Sequence, residues 1–338
     1  MNIDRRIEVL VELGKRLEQK DEGLAQAIHL AYLKNPWFTK ENTQQAIEAI
    51  CTQMLQADQL QTWVASYDIR DPKPKKTVGI IMAGNIPLVG FHDLLCAFVA
   101  GHHAKIKLSE KDAQLVPHLL KIMLEIDEET ASYFEIIERL SGFDAVIATG
   151  SNNTARYFNA YFGKYPHIIR RNRKTVAILN GEERHEDLLA LGQDVFRYFG
   201  LGCRNVSKLY LPKDYQFEPL LEAFHSFKDL ALHHKYKNNF DYNYTLLILN
   251  SIPYQANGCI LMSENASLDS RIASLHYEFY DSLKAVEQML SDQSESIQCV
   301  VTARSFDHWK TLPFGQAQNP GLSDYADGVD TMHFLKRI

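Results

Sequence analysis

No Gly-x-Gly-x-x-Gly occurs in the chain, so the ordinary dinucleotide-binding fingerprint is missing. No Gly-x-Ser-x-Gly elbow occurs either, which disfavours a serine hydrolase. The five cysteines, at 51, 96, 203, 259 and 299, have an odd count and no Cys-x-x-Cys spacing. That argues against a disulfide framework or a structural zinc site, and for a reducing compartment. His102-His103 and His233-His234 are tandem pairs, not the i, i+4 pairs that put two ligands on one helix face, so no metal is expected. No apolar run approaches the roughly 18 residues of a membrane-spanning helix. The N-terminus, with Asp4, Arg5, Arg6 and Glu8, lacks the basic-then-apolar order of a signal peptide, and a cytoplasmic location is expected. A formal charge of −6 gives no electrostatic reason to expect nucleic acid. The one basic cluster, Arg170 to Lys174, reads as a solvated turn before a strand.

What is present is a chain of 338 residues, 46% hydrophobic and 23% charged, long enough for two ordinary domains of a soluble globular protein. The first 65 residues carry helical periodicity, with Ile7, Leu10, Leu13 and Leu17 on one face and Ile47, Ile50, Cys51, Met54 and Leu55 on another. Asp71 to Lys76, with two prolines, reads as a linker. From Thr77 strands and helices alternate: Val78–Met82, a helix carrying Phe91 to Val99, Ala104–Leu108, helices near 112–125 and at Tyr133–Leu140, and Asp144–Ala148. That spacing indicates a parallel sheet covered on both faces. A second half begins with the strand Thr175–Leu179, and Lys208–Leu211, Tyr244–Leu249, Cys259–Met262 and Ile297–Val301 read as further strands.

Three places can carry chemistry. Cys203 follows Gly200-Leu201-Gly202 where a helix stops and a strand begins, so its thiol can be exposed to a cleft beside open backbone N–H groups. Arg204 can favour its thiolate, the reactive species. The other cysteines are embedded in apolar patterns and read as core thiols. Asn85 lies at the carboxyl end of a strand, where open α/β sheets bind ligands; its amide either donates to a developing oxyanion or bonds its own turn. Thr149-Gly150-Ser151 joins a strand end to a helix start, a ready site for a phosphate, and Lys107 with Ser109 and Glu110 can meet a nucleotide ribose or phosphate.

Taken in order, these features resemble the aldehyde dehydrogenase superfamily. Ala83-Gly84-Asn85-Ile86-Pro87-Leu88 resembles its Pro-Trp-Asn-Phe-Pro-Leu segment, whose asparagine forms the oxyanion hole. Gly101 through Lys107-Leu108-Ser109-Glu110 resembles the stretch that contacts the adenosine ribose, and Thr149-Gly150-Ser151 resembles the start of the cofactor-binding helix. Gly202-Cys203 then falls where the catalytic cysteine belongs. Within the superfamily the likeness is to the acyl-CoA reductases typified by the fatty-acid reductase of bacterial luminescence. It rests on Asn35-Pro36-Trp37-Phe38-Thr39, Phe199 to Ser207, and the ending from Phe314-Gly315-Gln316 to Asp330-Thr331.

The resemblance implies an aldehyde-dehydrogenase-like α/β fold: a helical N-terminus and Rossmann-like parallel-sheet cofactor domain over 1–175, a smaller α/β catalytic domain over 176–312, and a tail over 313–338. It implies catalytic Cys203 and Asn85, cofactor contacts from Lys107, Ser109, Glu110, Gly150 and Ser151, NADPH or NADH as cofactor, and an acyl-CoA or acyl-carrier thioester reduced to an aldehyde. The stretch Ile178-Leu179-Asn180-Gly181 stands where ordinary members carry Glu-Leu-Gly-Gly, so Leu179 replaces the glutamate that activates water. No Glu-Ile-Phe-Gly-Pro segment is present. An acyl-transfer or acyl-holding protein acting through Cys203 without reduction is the alternative. The run from Val329 with Met332, Phe334 and Leu335 is expected to add a strand to a neighbouring subunit, giving a dimer, or to pack on its own chain.

Overall fold

A computed structural model describes residues 1–69, 74–306 and 309–338, so residues 71–73 of the expected linker lie outside the described residues. The chain divides into two compact units, one of residues 1–172 with 320–338 and one of 173–319. The expected tail over 313–338 is therefore shared between them.

The first unit opens with four helices, α1 (Ile3–Glu18), α2 (Glu22–Lys34), α3 (Lys40–Met54) and α4 (Ala57–Ala65). Asn2, Asp21 and Thr39 cap the first three by accepting a backbone N–H of the first turn, which satisfies donors the helix itself cannot. The sheet follows as β1 (Thr77–Ile81), α5 (Phe91–Val99), β2 (His103–Lys107), α6 (Leu115–Ile126), β3 (Phe134–Ile136), β4 (Ala145–Thr149), α7 (Asn152–Phe162) and β5 (His167–Arg170). All pairings are parallel and the order is β3-β2-β1-β4-β5. Successive strands step outward from β1 to β3, then the chain returns to the other side of β1. The carboxyl ends of β1 and β4 thus flank the point where the winding reverses, the place such sheets open a crevice.

Two expectations fail in this unit. The segment Tyr133–Leu140 keeps apolar residues at helical spacing, yet after a short 3₁₀ turn it forms the strand β3. Tyr133 is buried with its ring edge-on to Phe98, and the unpaired side of β2 recruits the segment through the Ala104 N–H to the Tyr133 carbonyl, at 2.7 Å. At the other end, Thr331–Lys336 is a helix, not an edge strand. Asp330 caps it by accepting the His333 N–H at 2.8 Å, and Met332 and Leu335 are buried. The C-terminal segment is also bound by polar contacts within this unit. Tyr325 Oη receives the Trp63 indole N–H at 3.0 Å, Tyr67 Oη donates to Asp330 at 2.9 Å, and His92 Nε2 lies 2.9 Å from the Leu322 carbonyl oxygen.

The basic cluster is likewise more than a solvated turn. Arg170 is 5% exposed, ion-paired with Asp93 of α5, and donates to Thr331 Oγ1 at 2.9 Å. A charge so buried must be paired, and this pair joins α5, β5 and the C-terminal helix.

The second unit runs β6 (Lys174–Ile178), α8 (His185–Phe196), β7 (Val206–Pro212), α9 (Glu218–His225), α10 (His234–Leu249), β8 (Gln255–Ala256), β9 (Leu261–Glu264), β10 (Ser274–Tyr280), α11 (Leu283–Asp292), β11 (Ile297–Val301) and β12 (Thr311–Leu312). Its sheet order is β12-β11-β6-β7-β10-β9-β8, parallel except for the short antiparallel β8. One face buries Leu188, Leu191 and Val195 of α8 and Leu220 and Phe224 of α9; the other buries Val286 and Leu290 of α11. The stretch Tyr244–Leu249, expected as a strand, is the end of α10. Its bulky residues favour strand locally, but the helix is anchored by buried Tyr236 and Asn243, and tertiary contact overrides propensity.

Asp194 on α8 fastens the loop after β12. Its buried carboxylate accepts the Gly315 N–H at 2.6 Å and the Ala317 N–H at 3.0 Å, and burial pushes its pKa up to about 6 from an ordinary 3.8.

Two outcomes are expected. Arg170→Met leaves Asp93 buried without its cation, and urea unfolding should show a loss of about 3–5 kcal/mol. For Asp194 the folded value lies above the ordinary one, so its favourable contribution is complete below pH 3.8 and lost as pH rises through about 6. Asp194→Asn removes that titration. Its stability relative to the native chain should therefore rise from pH 4 to pH 7, by on the order of 3 kcal/mol in the same measurement.

Candidate functional site

In the first unit the loops after β1, β2 and β4 meet along the carboxyl edge of the sheet. Met82 continues β1 by donating its N–H to the Lys107 carbonyl at 3.0 Å. Gly84 then packs against the next loop so closely that a Cβ there would lie 2.4 Å from Ser109 Oγ. Asn85 follows, half-buried. Beyond it Leu88 has φ +57°, a left-handed conformation costly for a leucine, and its N–H is held by Asp112 Oδ2 at 2.8 Å. Burial pushes the Asp112 carboxyl up to about 6. The Asn85 loop is thus clamped between a glycine that must stay a glycine and a buried carboxylate.

Ser109 accepts the Lys111 N–H at 3.3 Å, Glu110 is exposed, and Lys107 Nζ donates to the Glu138 carbonyl at 3.0 Å. After β4, Ser151 is the N-cap of α7, its Oγ accepting the Thr154 N–H at 3.2 Å. A Cβ on Gly150 would stand 3.0 Å from both Thr154 and Phe158, so the backbone there lies close to its own helix. The fold therefore brings Asn85, Lys107, Ser109, Glu110, Gly150 and Ser151 to one edge of one sheet, about the β1/β4 reversal.

In the second unit the Cys203 loop is built on unusual backbone. After α8, Tyr198, Phe199 and Gly200 are left-handed in succession, at φ 54°, 57° and 75°. Only the glycine adopts this without penalty. Packing holds the other two: both are buried, and the Phe199 ring lies tilted against His233 and Tyr236, with centroids 4.5 and 5.9 Å away. Asn205 completes the turn. It is 2% exposed; its amide donates to the carbonyls of Asp194, Val195 and Arg197 at 3.0, 3.3 and 2.8 Å, while its oxygen accepts the Gly202 N–H at 2.8 Å. From β6, Thr175 Oγ1 donates to the Cys203 carbonyl at 3.0 Å.

Cys203 itself is half-buried, whereas Cys51, Cys96, Cys259 and Cys299 are buried, and none of the five is in a disulfide. Burial pushes the Cys51 thiol up to about 12, Cys259 to about 11 and Cys96 well above its ordinary value, which suppresses the reactive thiolate at each. Arg204 Nη1 reaches Cys299 Sγ at 3.7 Å, and Thr175 Oγ1 lies 3.3 Å from the same sulfur. Asn205 and Thr175 went unremarked as functional residues in the sequence. Asn205 had only its place in the Gly-Leu-Gly-Cys-Arg-Asn run as a signal, and Thr175 had none.

The reading of Leu179 as the residue replacing a water-activating base needs correction, first because in the match of Ile178-Leu179-Asn180-Gly181 to Glu-Leu-Gly-Gly it is Ile178 that stands opposite the glutamate. Leu179 follows the carboxyl end of β6, where its N–H donates to the Tyr210 carbonyl at 3.0 Å, and it is fully buried. The Cys203 loop precedes the amino end of β7, and β6 and β7 are parallel with Thr175 opposite Val206. Leu179 is thus about 13 Å along the strand from Thr175, the residue that touches Cys203. No side chain at 179 can reach that thiol. What runs into the amino end of β6 is Arg170 to Thr175, and the chain has no Asp or Glu anywhere between Asp144 and Glu182. The conclusion that this part of the chain supplies no basic carboxylate stands, on different residues.

Among the described residues no group of three or more His, Cys, Asp or Glu side chains is placed to hold a metal ion, and no helix is long and apolar enough to cross a membrane.

The sequence model of the acyl-CoA reductase (LuxC) family matches residues 4–219, from α1 through the Cys203 loop and β7 into the start of α9. No curated protein matches the chain. Solved structures of similar fold include an oxidoreductase from Marinobacter aquaeolei, with a TM-score of 0.73, 10% identity, and 95% of this chain and 79% of that one covered. Aldehyde dehydrogenase 21 from Physcomitrella patens has a TM-score of 0.68 at 12% identity, covering 100% and 84%. An aldehyde dehydrogenase from Bacillus cereus, solved as its NAD+ complex, has a TM-score of 0.63 at 13% identity, covering 91% and 73%. The fold is that of the aldehyde dehydrogenases, and the chain belongs to the acyl-CoA reductase (LuxC) family, oxidoreductases acting at the aldehyde level.

Proposed function

We propose that this protein reduces an acyl thioester, acyl-CoA or its carrier-bound counterpart, to an aldehyde with NADPH or NADH, through an acyl group carried on Cys203. The observation that carries this reading is that Cys203 alone of the five thiols escapes burial, on a loop whose left-handed backbone is held by packing and by Asn205.

The Cys203 sulfur, as thiolate, attacks the thioester carbonyl carbon. The carbon–sulfur bond to CoA then breaks, and the CoA thiolate leaves with the electron pair. Asn85 Nδ2 and the Cys203 N–H serve as donors to the oxygen that becomes negative on the way. A covalent acyl group suits the task because it separates acyl transfer from reduction. The lack of any carboxylate on the segment entering β6 protects it from hydrolysis and favours reduction over oxidation of aldehydes to acids. Once reduced, the acyl group leaves the sulfur as aldehyde and the thiolate is restored.

The residues about the β1/β4 reversal fit a dinucleotide. The start of α7 presents helix N-terminal N–H groups beside Gly150, and Ser109 and Glu110 stand at the end of the neighbouring strand with Lys107. Gly150, Ser151, Lys107, Ser109 and Glu110 would hold the group. Bound there, a dihydronicotinamide supplies the hydride.

With radiolabelled acyl-CoA, Cys203→Ala should lose all labelling, and Asn85→Ala should retain it while turnover, followed by NADPH or NADH absorbance, falls at least ~100-fold. Unchanged labelling of Cys203→Ala refutes the nucleophile. Labelling of the native chain without any nucleotide affinity points instead to an acyl-transfer or acyl-holding protein.

A further inference from the structure

We infer that Asn205 and Thr175 are the positioning residues of the Cys203 thiol and of its backbone N–H, an inference that rests on the reading of Cys203 as nucleophile. Three successive peptide planes around Cys203 are each gripped by one of these two residues. The plane before Gly202 is fixed where its N–H donates to Asn205 Oδ1 at 2.8 Å. The plane between Gly202 and Cys203 is fixed where the Gly202 carbonyl accepts the Asn205 N–H at 3.1 Å. The plane after Cys203 is fixed where its carbonyl accepts Thr175 Oγ1 at 3.0 Å.

The middle grip matters most. In a planar trans peptide the C=O and the following N–H point in opposite directions. Holding the Gly202 carbonyl toward the Asn205 N–H therefore directs the Cys203 N–H away from it, which sets the direction of an oxyanion donor. With the planes on both sides of its Cα fixed, the direction of the Cys203 Cα–Cβ bond is fixed as well.

The amide of Asn205 is matched to this work. Its oxygen accepts the one N–H offered, while its nitrogen faces three carbonyls at the end of α8, those of Asp194, Val195 and Arg197. An aspartate has the acceptor but no donor, and would set a negative charge against three carbonyl oxygens two residues from the thiol. A leucine has the size and neither function. Thr175 acts from a different element, the amino end of β6, so the two grips are independent.

Oxyanion donors act only when aimed at the developing charge, and an ångström of misplacement is costly. Loosening either grip should therefore slow acylation while leaving the binding of acyl-CoA and nucleotide nearly intact.

The test uses the full chain with Asn205→Ala, Asn205→Asp, Thr175→Val and Cys203→Ala. Single-turnover acylation by radiolabelled acyl-CoA, the acyl-CoA concentration for half-maximal rate, and alkylation of Cys203 by iodoacetamide across pH would be measured. Asn205→Ala should slow acylation ~10-fold or more, and Thr175→Val, nearly isosteric and safe for the fold, roughly 3- to 10-fold, both with the half-maximal concentration changed less than about twofold. Asn205→Asp should in addition move the alkylation midpoint to higher pH wherever the new carboxyl is ionised, because a neighbouring negative charge opposes the thiolate; a merely structural role would instead change the half-maximal concentration along with the rate. Native acylation rates in Thr175→Val, or in a folded Asn205→Ala, overturn the inference provided Cys203→Ala has lost its label. If Cys203→Ala keeps its label, the nucleophile reading fails and this one with it.

Discussion

The turn after α8 holds three residues in left-handed backbone, two of them not glycine, and the buried amide of Asn205 is the interaction on which the candidate site depends. Left-handed backbone costs roughly 1–2 kcal/mol at each non-glycine residue, so something local must offset it. Tyr198 and Phe199 do so by burying their rings, Phe199 against His233 and Tyr236, whose own hydroxyl donates to the Cys259 carbonyl at 2.7 Å. Asn205 does so by satisfying carbonyls at the end of the helix that would otherwise be orphaned. The chain can then turn sharply out of α8 and enter β7 with Cys203 at the bend, half-exposed, while every other thiol is buried.

The two sheets present their candidate residues at opposite strand ends. In the first unit Asn85, Ser109 and Gly150 all follow carboxyl ends, gathered by the reversal of winding between β1 and β4. In the second, Cys203 precedes the amino end of β7. Parallel pairing makes this distinction absolute, because every strand of a parallel pair has its amino end on the same side. It is the reason Leu179, at the far end of β6, has no part in chemistry at Cys203, and the reason Thr175, at the near end, does.

Buried ionic and carboxylate groups do the remaining fastening. Asp112 holds the left-handed Leu88 beyond Asn85, Asp194 holds the loop at Gly315 and Ala317, and the Arg170–Asp93 pair ties the C-terminal helix into the first unit. Asp194 has both carboxylate oxygens bonded and so specifies one arrangement of the loop it holds, whereas Asp93 Oδ1, Asp112 Oδ1 and Arg170 Nε are buried without a hydrogen-bond partner among the described residues. Asp112 and Asp194, both pushed toward neutrality by burial, lie beside the loops that carry Asn85 and Cys203.

Much of this was legible in the amino-acid order. Helical periodicity marked α1, α3 and α5; Gly-rich breaks after apolar runs marked the ends of β1 and β4; and Gly200-Leu201-Gly202 singled out Cys203, because these signals are local and need no partner to be read. Three features needed the folded chain. Tyr133–Leu140 and Tyr244–Leu249 exchanged their expected states, strand for helix and helix for strand, since neighbours decide between the two where a short apolar run fits both. The Val329 segment became a helix packed on its own unit because Asp330 caps it and Arg170 reaches it from β5, a contact across 161 positions of sequence. Asn205 and Thr175 acquired meaning only in space: a hydrogen bond from position 175 to position 203 depends on two strands lying side by side in one register, and nothing local encodes that.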